Sequence, residues 1–264
     1  TNTLNVGKVW DAMVDIVVEQ CEQDGLEPMS INPVVGECND SRINQIQKRV
    51  VGADEVRQAF ASASEEFEEG DVGAGAGTIC YGLKGGIGSA SRVIRIGEKE
   101  YTIGVLVQSN FGATEDFVLN GESVGAKILD WKQEKDDMAA SEEDKGSIMS
   151  ILATDLPLTS RQLRRILRRT GVGIARTGGY TGHGSGEVMI GFTTANRIPS
   201  GAEEELLQIQ AIPEHVINRA FLAAAEAEQE AILNSMTAAE RTRGQAGELY
   251  YSLSEYLEDQ DSKQ

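Results

Sequence analysis

Gly146-Ser147 is the place in this sequence where residue type and position together could do chemistry. A charge-rich stretch, 132–145 (KQEKDDMAASEEDK), feeds a serine at the mouth of an apolar run of Ile148, Met149, Ile151, Leu152 and Ala153. A serine so placed can cut its own chain. Its hydroxyl attacks the preceding carbonyl, the peptide becomes an ester, and water releases a new N-terminus. Ser147 would then hold a nucleophile and its own base, because a free α-amine titrates at about 7.7–8.0 and can activate a neighbouring hydroxyl. The scheme needs no histidine, which suits a chain with two, His183 and His215. A Gly-Ser pair is far more often an ordinary turn, and the spacing alone does not separate the two readings.

Other candidates are weaker. The Gly73/Gly75/Gly77 run invites a dinucleotide reading, which needs a strand before it and a helix after it. Glu65, Glu66, Glu68, Glu69 and Asp71 precede it instead and would repel a pyrophosphate. Glycines there more naturally let backbone pack on backbone or frame a substrate cleft. Cys21, Cys38 and Cys80 form neither a disulfide framework nor a CxxC metal knuckle, so no metal and no cofactor is implied. Thr1 as a free nucleophile rests on position alone, since a polar turn and helix follow it. With 42 acidic against 24 basic side chains the net charge is −18. That balance argues against nucleic-acid binding, which draws on Lys and Arg, and favours small cationic or amino-terminal substrates over acidic ones. No apolar run approaches the ~18 residues of a membrane span. No signal peptide is visible, which favours the cytoplasm, although a start at Thr1 without Met suggests removal of something upstream.

The elements that must position Ser147 follow from periodicity. Val9, Met13, Ile16 and Val17 predict a helix over 7–23, and 54–67 predicts a second. Residues 92–97 and 101–107 read as two strands, 117–129 as a hairpin around Asn120-Gly121, and 132–145 as a solvated, flexible loop. The apolar run from Ile148 is a strand. Thr159-Ser160 caps an arginine-rich helix that Gly171 should stop, its arginines solvated and paired with carboxylates or meeting an anion or partner. Residues 188–194 predict a strand, 214–240 a long Ala-rich helix with Ile217, Phe221, Ala225 and Ile232 inward, and 255–264 a frayed acidic tail.

Ordered motifs across nearly the whole chain then identify a family. They are Thr1-Asn2-Thr3, PVVGE at 33–37, GTICYGLKGGIGSASR at 77–92, YTIGVLVQSNFG at 101–112 and GSIMSILATDLPL at 146–158, followed by RQLRRILRRTGVGIARTG at 161–178, GSGEVMIGFTTAN at 184–196 and INRAFLAAAEAEQEAILN at 217–234. The chain resembles the DmpA-type L-aminopeptidases/D-amidase-esterases, which include the β-peptidyl aminopeptidases. The resemblance implies an α/β fold, the four-layer α/β/β/α sandwich shared with ornithine acetyltransferases. It implies one domain over 1–264 that lacks a leading family segment, cut between Gly146 and Ser147 into pieces 1–146 and 147–264. It also implies homo-oligomers of processed units.

By the same resemblance Ser147 is the nucleophile, Ser185 and Glu187 fall on the family's S-G-[DE] stretch, and Asn110 falls on its V-Q-x-N motif. Glu187 would hold the substrate's ammonium, Ser185 would relay a hydrogen bond to Ser147, and Asn110 would donate to the oxyanion. The family's catalytic tyrosine is assigned to Tyr81, nearest the glycine-rich cleft, where a half-buried strand tyrosine is the plainer reading. Its other possible place is 38–44 (CNDSRIN), where this chain has Arg42 and relatives tend to be aromatic; the oxyanion hole would then be altered. The expected activity is hydrolysis of short peptides, amides or esters with a free amino end. The alternatives are a same-fold acyltransferase, which Ser147 in place of a threonine nucleophile argues against, and a non-catalytic binding or assembly protein.

Overall fold

The structure is a computed structural model that describes residues 1–135, 146–198 and 206–263. Helix α1 spans Val6–Gln23 and packs against α2, Ala53–Ala61. The second helix ends well before residue 67. Beyond it Glu69 turns to accept from the Ser89 N–H at 2.6 Å and the Ser89 hydroxyl at 2.5 Å. The glycine-rich segment holds a small hairpin, β1 (Ile79–Cys80) against β2 (Leu83–Lys84).

Next come the long antiparallel strands β3 (Ile87–Ile96) and β4 (Lys99–Asn110), both longer than their apolar alternation suggested. The hairpin at Asn120-Gly121 is present but minimal. β5 (Val118–Leu119) and β6 (Glu122–Ser123) flank a turn in which Asn120 and Gly121 both have positive φ. Helix α3, Gly125–Glu134, follows directly and takes the first residues of the expected loop. Lys132, expected in solvent, is buried, and its ammonium donates to Gly82 O at 3.0 Å. Residues 136–145 of that expected loop lie outside the described residues.

Strand β7, Ser147–Thr154, pairs antiparallel with β4 and parallel with β8, Gly186–Thr193. The sheet order is β3-β4-β7-β8. Between β7 and β8 run α4 (Ser160–Leu167), capped by Thr159 as expected, and α5 (Thr170–Arg176). Gly171 lies inside α5 and stops nothing; Gly178, at φ +102°, makes the left-handed exit. Arg161 and Arg165 share one carboxylate, Glu214, and Arg165 and Arg169 lie over the Phe221 ring, so part of this basic face is engaged within the chain.

Helix α6, Asn218–Thr237, lies across β3 and β4. Its buried Ala220, Ala223, Ala224, Ala227 and Ala231 let backbone approach sheet, and Ile103, Val105, Val107, Ile148 and Leu152 fill the core beneath. A short pair, β9 (Thr242–Arg243) with β10 (Leu249–Tyr250), leads to α7, Leu253–Ser262. The acidic tail is thus helical through Ser262. A Ser252/Glu255 capping box starts α7, and buried Leu253 and Tyr256 pin it.

The other face of the sheet carries Leu106, Met149, Ile151 and Ile190, partly covered, with Val93 and Phe192 exposed. Residues 36–38 cross its site end. Gly36 lies against the Met149 side chain, and Cys38 Sγ points at Ser147 O, 3.6 Å away.

Candidate active site

Register explains why Ser147 stands where it does. It opens β7 between Asn110, the last residue of β4, and Gly186, the first of β8. Strand alternation sends Ile148, Ser150 and Leu152 into the helical core and leaves Ser147 partly exposed on the other face. Gly146 is required by a close approach: a Cβ there would overlap the Asn110 carbonyl. The Gly146 carbonyl oxygen accepts the Gly186 N–H at 3.1 Å. A backbone donor therefore already polarises the carbonyl that Ser147 Oγ would attack.

Asn110 is nearly buried, and both ends of its carboxamide are engaged. Oδ1 accepts the Ile79 N–H at 3.0 Å, and Nδ2 donates to Asn39 O at 3.1 Å. One Nδ2 hydrogen is left for an oxyanion. On the other flank Ser185 Oγ donates to Glu187 Oε1 at 2.7 Å. Glu187 stands opposite Ile148 in register, so alternation puts its side chain on the face away from Ser147, with Gly186 between.

Tyr81 is not half-buried but wholly enclosed. Its ring stacks on Phe117 at 4.6 Å and meets Phe111 edge-on at 5.1 Å, and its hydroxyl is 2.9 Å from Thr177 Oγ1. Its backbone holds φ +51°, and its N–H donates to Phe111 O, which ties it to the residue after Asn110. Arg42 lies in the exposed turn after Asp40, where its carbonyl accepts the Gln245 N–H.

Ser147, Gly146, Asn110, Ser185 and Glu187 are thus gathered at one end of three adjacent strands. Tyr81 stands behind them in the aromatic core.

Sequence reasoning named 33–37 only as a motif and 38–44 only as a possible place for the tyrosine, and missed Glu37, Cys38 and Asp40 themselves. Cys38 donates weakly to Gln108 O at 3.7 Å and Ser147 O at 3.6 Å; burial pushes its thiol up to about 11, so it stays protonated and packs. Glu37 Oε2 and Asp40 Oδ1 are buried without hydrogen-bond partners among the described residues. Asp40 also lines an apolar groove of about 730 Å³ between α1 and α2. The PVVGE box contained Glu37, but nothing in its spacing indicated that it would fold onto β7.

Comparison with known proteins sets this arrangement in a class. The chain superposes with a TM-score of 0.85, at 33% identity, on the L-aminopeptidase D-Ala-esterase/amidase of Ochrobactrum anthropi, described as a variant of the Ntn hydrolase fold; 98% of this chain and 70% of that one are covered. The PH0078 protein of Pyrococcus horikoshii matches at TM-score 0.86 and 44% identity, over 97% of this chain and 70% of that one. The fold is therefore the α/β sandwich of the Ntn hydrolases. The chain belongs to peptidase family S58, whose profile matches residues 1–250. It is 36% identical over 252 residues to the β-peptidyl aminopeptidase BapA of Sphingosinicella xenopeptidilytica; this covers 92% of the chain and 62% of that relative's length. Among the described residues no helix is long and apolar enough to cross a membrane.

Proposed function

We propose that this protein is a self-processed aminopeptidase/amidase-esterase acting on short peptides, amides or esters with a free amino end. The observation that carries this reading is the setting of Ser147 between Asn110 and Gly186, with the Gly186 N–H on the Gly146 carbonyl oxygen. In processing, Ser147 Oγ adds to the Gly146 carbonyl carbon, and the C–N bond breaks as the proton passes to the leaving amine. Water then hydrolyses the ester and frees Gly146 as a carboxylate. The new Ser147 α-amine is the base for catalysis. It takes the Oγ proton as Oγ attacks the substrate carbonyl and returns it to the departing amine or alcohol; water repeats the step to clear the acyl-enzyme.

Asn110 Nδ2 supplies the oxyanion contact. The Ser185–Glu187 pair steadies the Ser147 amine past Gly186. Tyr81 contributes through Phe111, because an enclosed ring bonded to Thr177 cannot touch substrate as it stands. Glu187 is assigned to the substrate ammonium, although the register turns its side chain from the Ser147 face, so the amino end would have to reach it past Gly186 at the end of the strand. Glu37, with its buried unpartnered oxygen, offers a second carboxylate for that task. Glu187→Gln and Glu37→Gln separate the two: the residue that holds the ammonium raises KM for aminoacyl p-nitroanilides far more than for the des-amino analogues. The −18 charge suits a cationic amino end and keeps an oligomer of processed units soluble.

Intact-mass analysis with N-terminal sequencing tests the whole reading. The expected result is two species, one beginning at Ser147, with Ser147→Ala remaining a single inactive chain. A wild type that stays uncut and turns over no aminoacyl amide would leave the binding-protein alternative standing.

A further inference from the structure

Lys84, at the end of β2, is completely buried, and no step above uses it. Its ammonium donates to three backbone carbonyls, Gly75 O at 2.8 Å, Thr78 O at 3.1 Å and Gly85 O at 2.8 Å. All three N–H bonds are spent within one glycine-rich segment. Burying an ammonium is costly, and an apolar chain of equal length would fill the same space without that cost. What the cation adds is shape. Three carbonyls that would otherwise repel one another converge on a single point.

The segment so shaped carries the contact that orients Asn110. Ile79 stands opposite Lys84 in the β1–β2 pair, directly after the clasped Thr78 carbonyl. Its N–H is the donor to Asn110 Oδ1. That bond fixes which end of the carboxamide faces the glycine segment and leaves Nδ2 on the side of Asn39. Without it the amide could turn over and present oxygen, not N–H, to a developing oxyanion.

We propose that Lys84 is a positioning residue for Asn110: by gathering the carbonyls of Gly75, Thr78 and Gly85 it aims the Ile79 N–H at Asn110 Oδ1 and so presents Asn110 Nδ2 to the oxyanion formed at Ser147. This rests on the roles given above to Ser147 and Asn110. Burial lowers the Lys84 ammonium to about 8, against the opposing pull of Asp71. Its neutral form has two hydrogens for three carbonyls, so the clasp loosens as pH rises.

A double-mutant cycle on the processed enzyme tests it. Lys84→Met should lower kcat by roughly 10–100-fold and leave KM within about twofold, as for an interaction made in the transition state. In the Asn110→Ala background it should cost less than about twofold, because the residue it serves is gone. Equal losses in both backgrounds would overturn the proposal and make Lys84 a plain core residue.

If Lys84→Met does not fold, the wild type decides. Its kcat should fall through an alkaline limb near the Lys84 value, and that limb should persist in Glu228→Gln and vanish in Asn110→Ala. A limb that survives in Asn110→Ala refutes the idea. The side-chain amide signals of Asn110 by NMR keep the two readings distinguishable. A wild type without any hydrolysis sinks the functional reading alone. Asn110 amide signals unchanged between pH 7 and 9 sink the positioning role.

Discussion

Asn110 joins three stretches of chain at one atom group: Ile79 on Oδ1, Asn39 on Nδ2, and Ser147 beside it in the ladder. Asn110→Ala is expected to lower kcat by about 10²–10³ with a smaller change in KM, read by steady-state kinetics on an aminoacyl p-nitroanilide. The motif V-Q-x-N located this residue in the sequence; its two partners come from segments about 31 and 71 positions away, which no local pattern connects. A second buried group lies under the neighbouring strand β7. Glu228 is fully enclosed in α6, takes the Ser150 hydroxyl at 2.6 Å on Oε1, and leaves Oε2 unpartnered among the described residues. Burial raises its carboxyl to about 8. The folded value lies above the unfolded one, so its share of stability is complete below about pH 4.5 and drains away as pH climbs to about 8. Glu228→Gln should therefore match the wild type in thermal melts at pH 5 and exceed it by several degrees at pH 9, at roughly 2–4 °C per kcal/mol for a chain of this size.

At the scale of elements, the β4–β7–β8 ladder is the device that assembles the site. Gly146 lets β7 begin flush against the Asn110 carbonyl, and β8 begins with Gly186 beside Ser147. Gly146→Ala should slow self-cleavage at least tenfold by forcing the chain off that carbonyl, a loss of about 1.4 kcal/mol or more at the barrier; a time course of band conversion on denaturing gels measures it. Strand β7 was legible because its apolar residues follow a charged run. Helix α7 was not, because its acidic composition resembles a solvated tail. Tyr256 meets the Trp131 ring edge-on and Leu253 is buried in the same core cluster, a partnership that exists only once α3 is in place.

At the scale of the molecule, cleavage after Gly146 would cut the chain but not the sheet. Ile103–Asn110 of the leading piece pair along their whole length with Ser147–Thr154 of the trailing one, and α6 of the trailing piece covers β3 and β4 of the leading one. Processed protein is accordingly expected to elute as one particle on gel filtration and to separate into 1–146 and 147–264 in denaturant alone. Elution as two separate species without denaturant would contradict this account.

Ordered motifs and periods of two and 3.6 residues were enough to read off the family, the serine at 147, the strand that carries it and most helices. The sequence also indicated Asn110, Ser185 and Glu187, each through a short motif. How these side chains face one another depended on the folded packing. The amide of Asn110 is turned by Ile79, Glu187 is set behind Gly186, Tyr81 is withdrawn onto Thr177, Lys84 is enclosed among backbone carbonyls, and Lys132 is drawn from apparent solvent into the core. Each of these outcomes depends on register between distant strands or on carbonyls left over by turns, and such partners are chosen by packing rather than by neighbours along the chain.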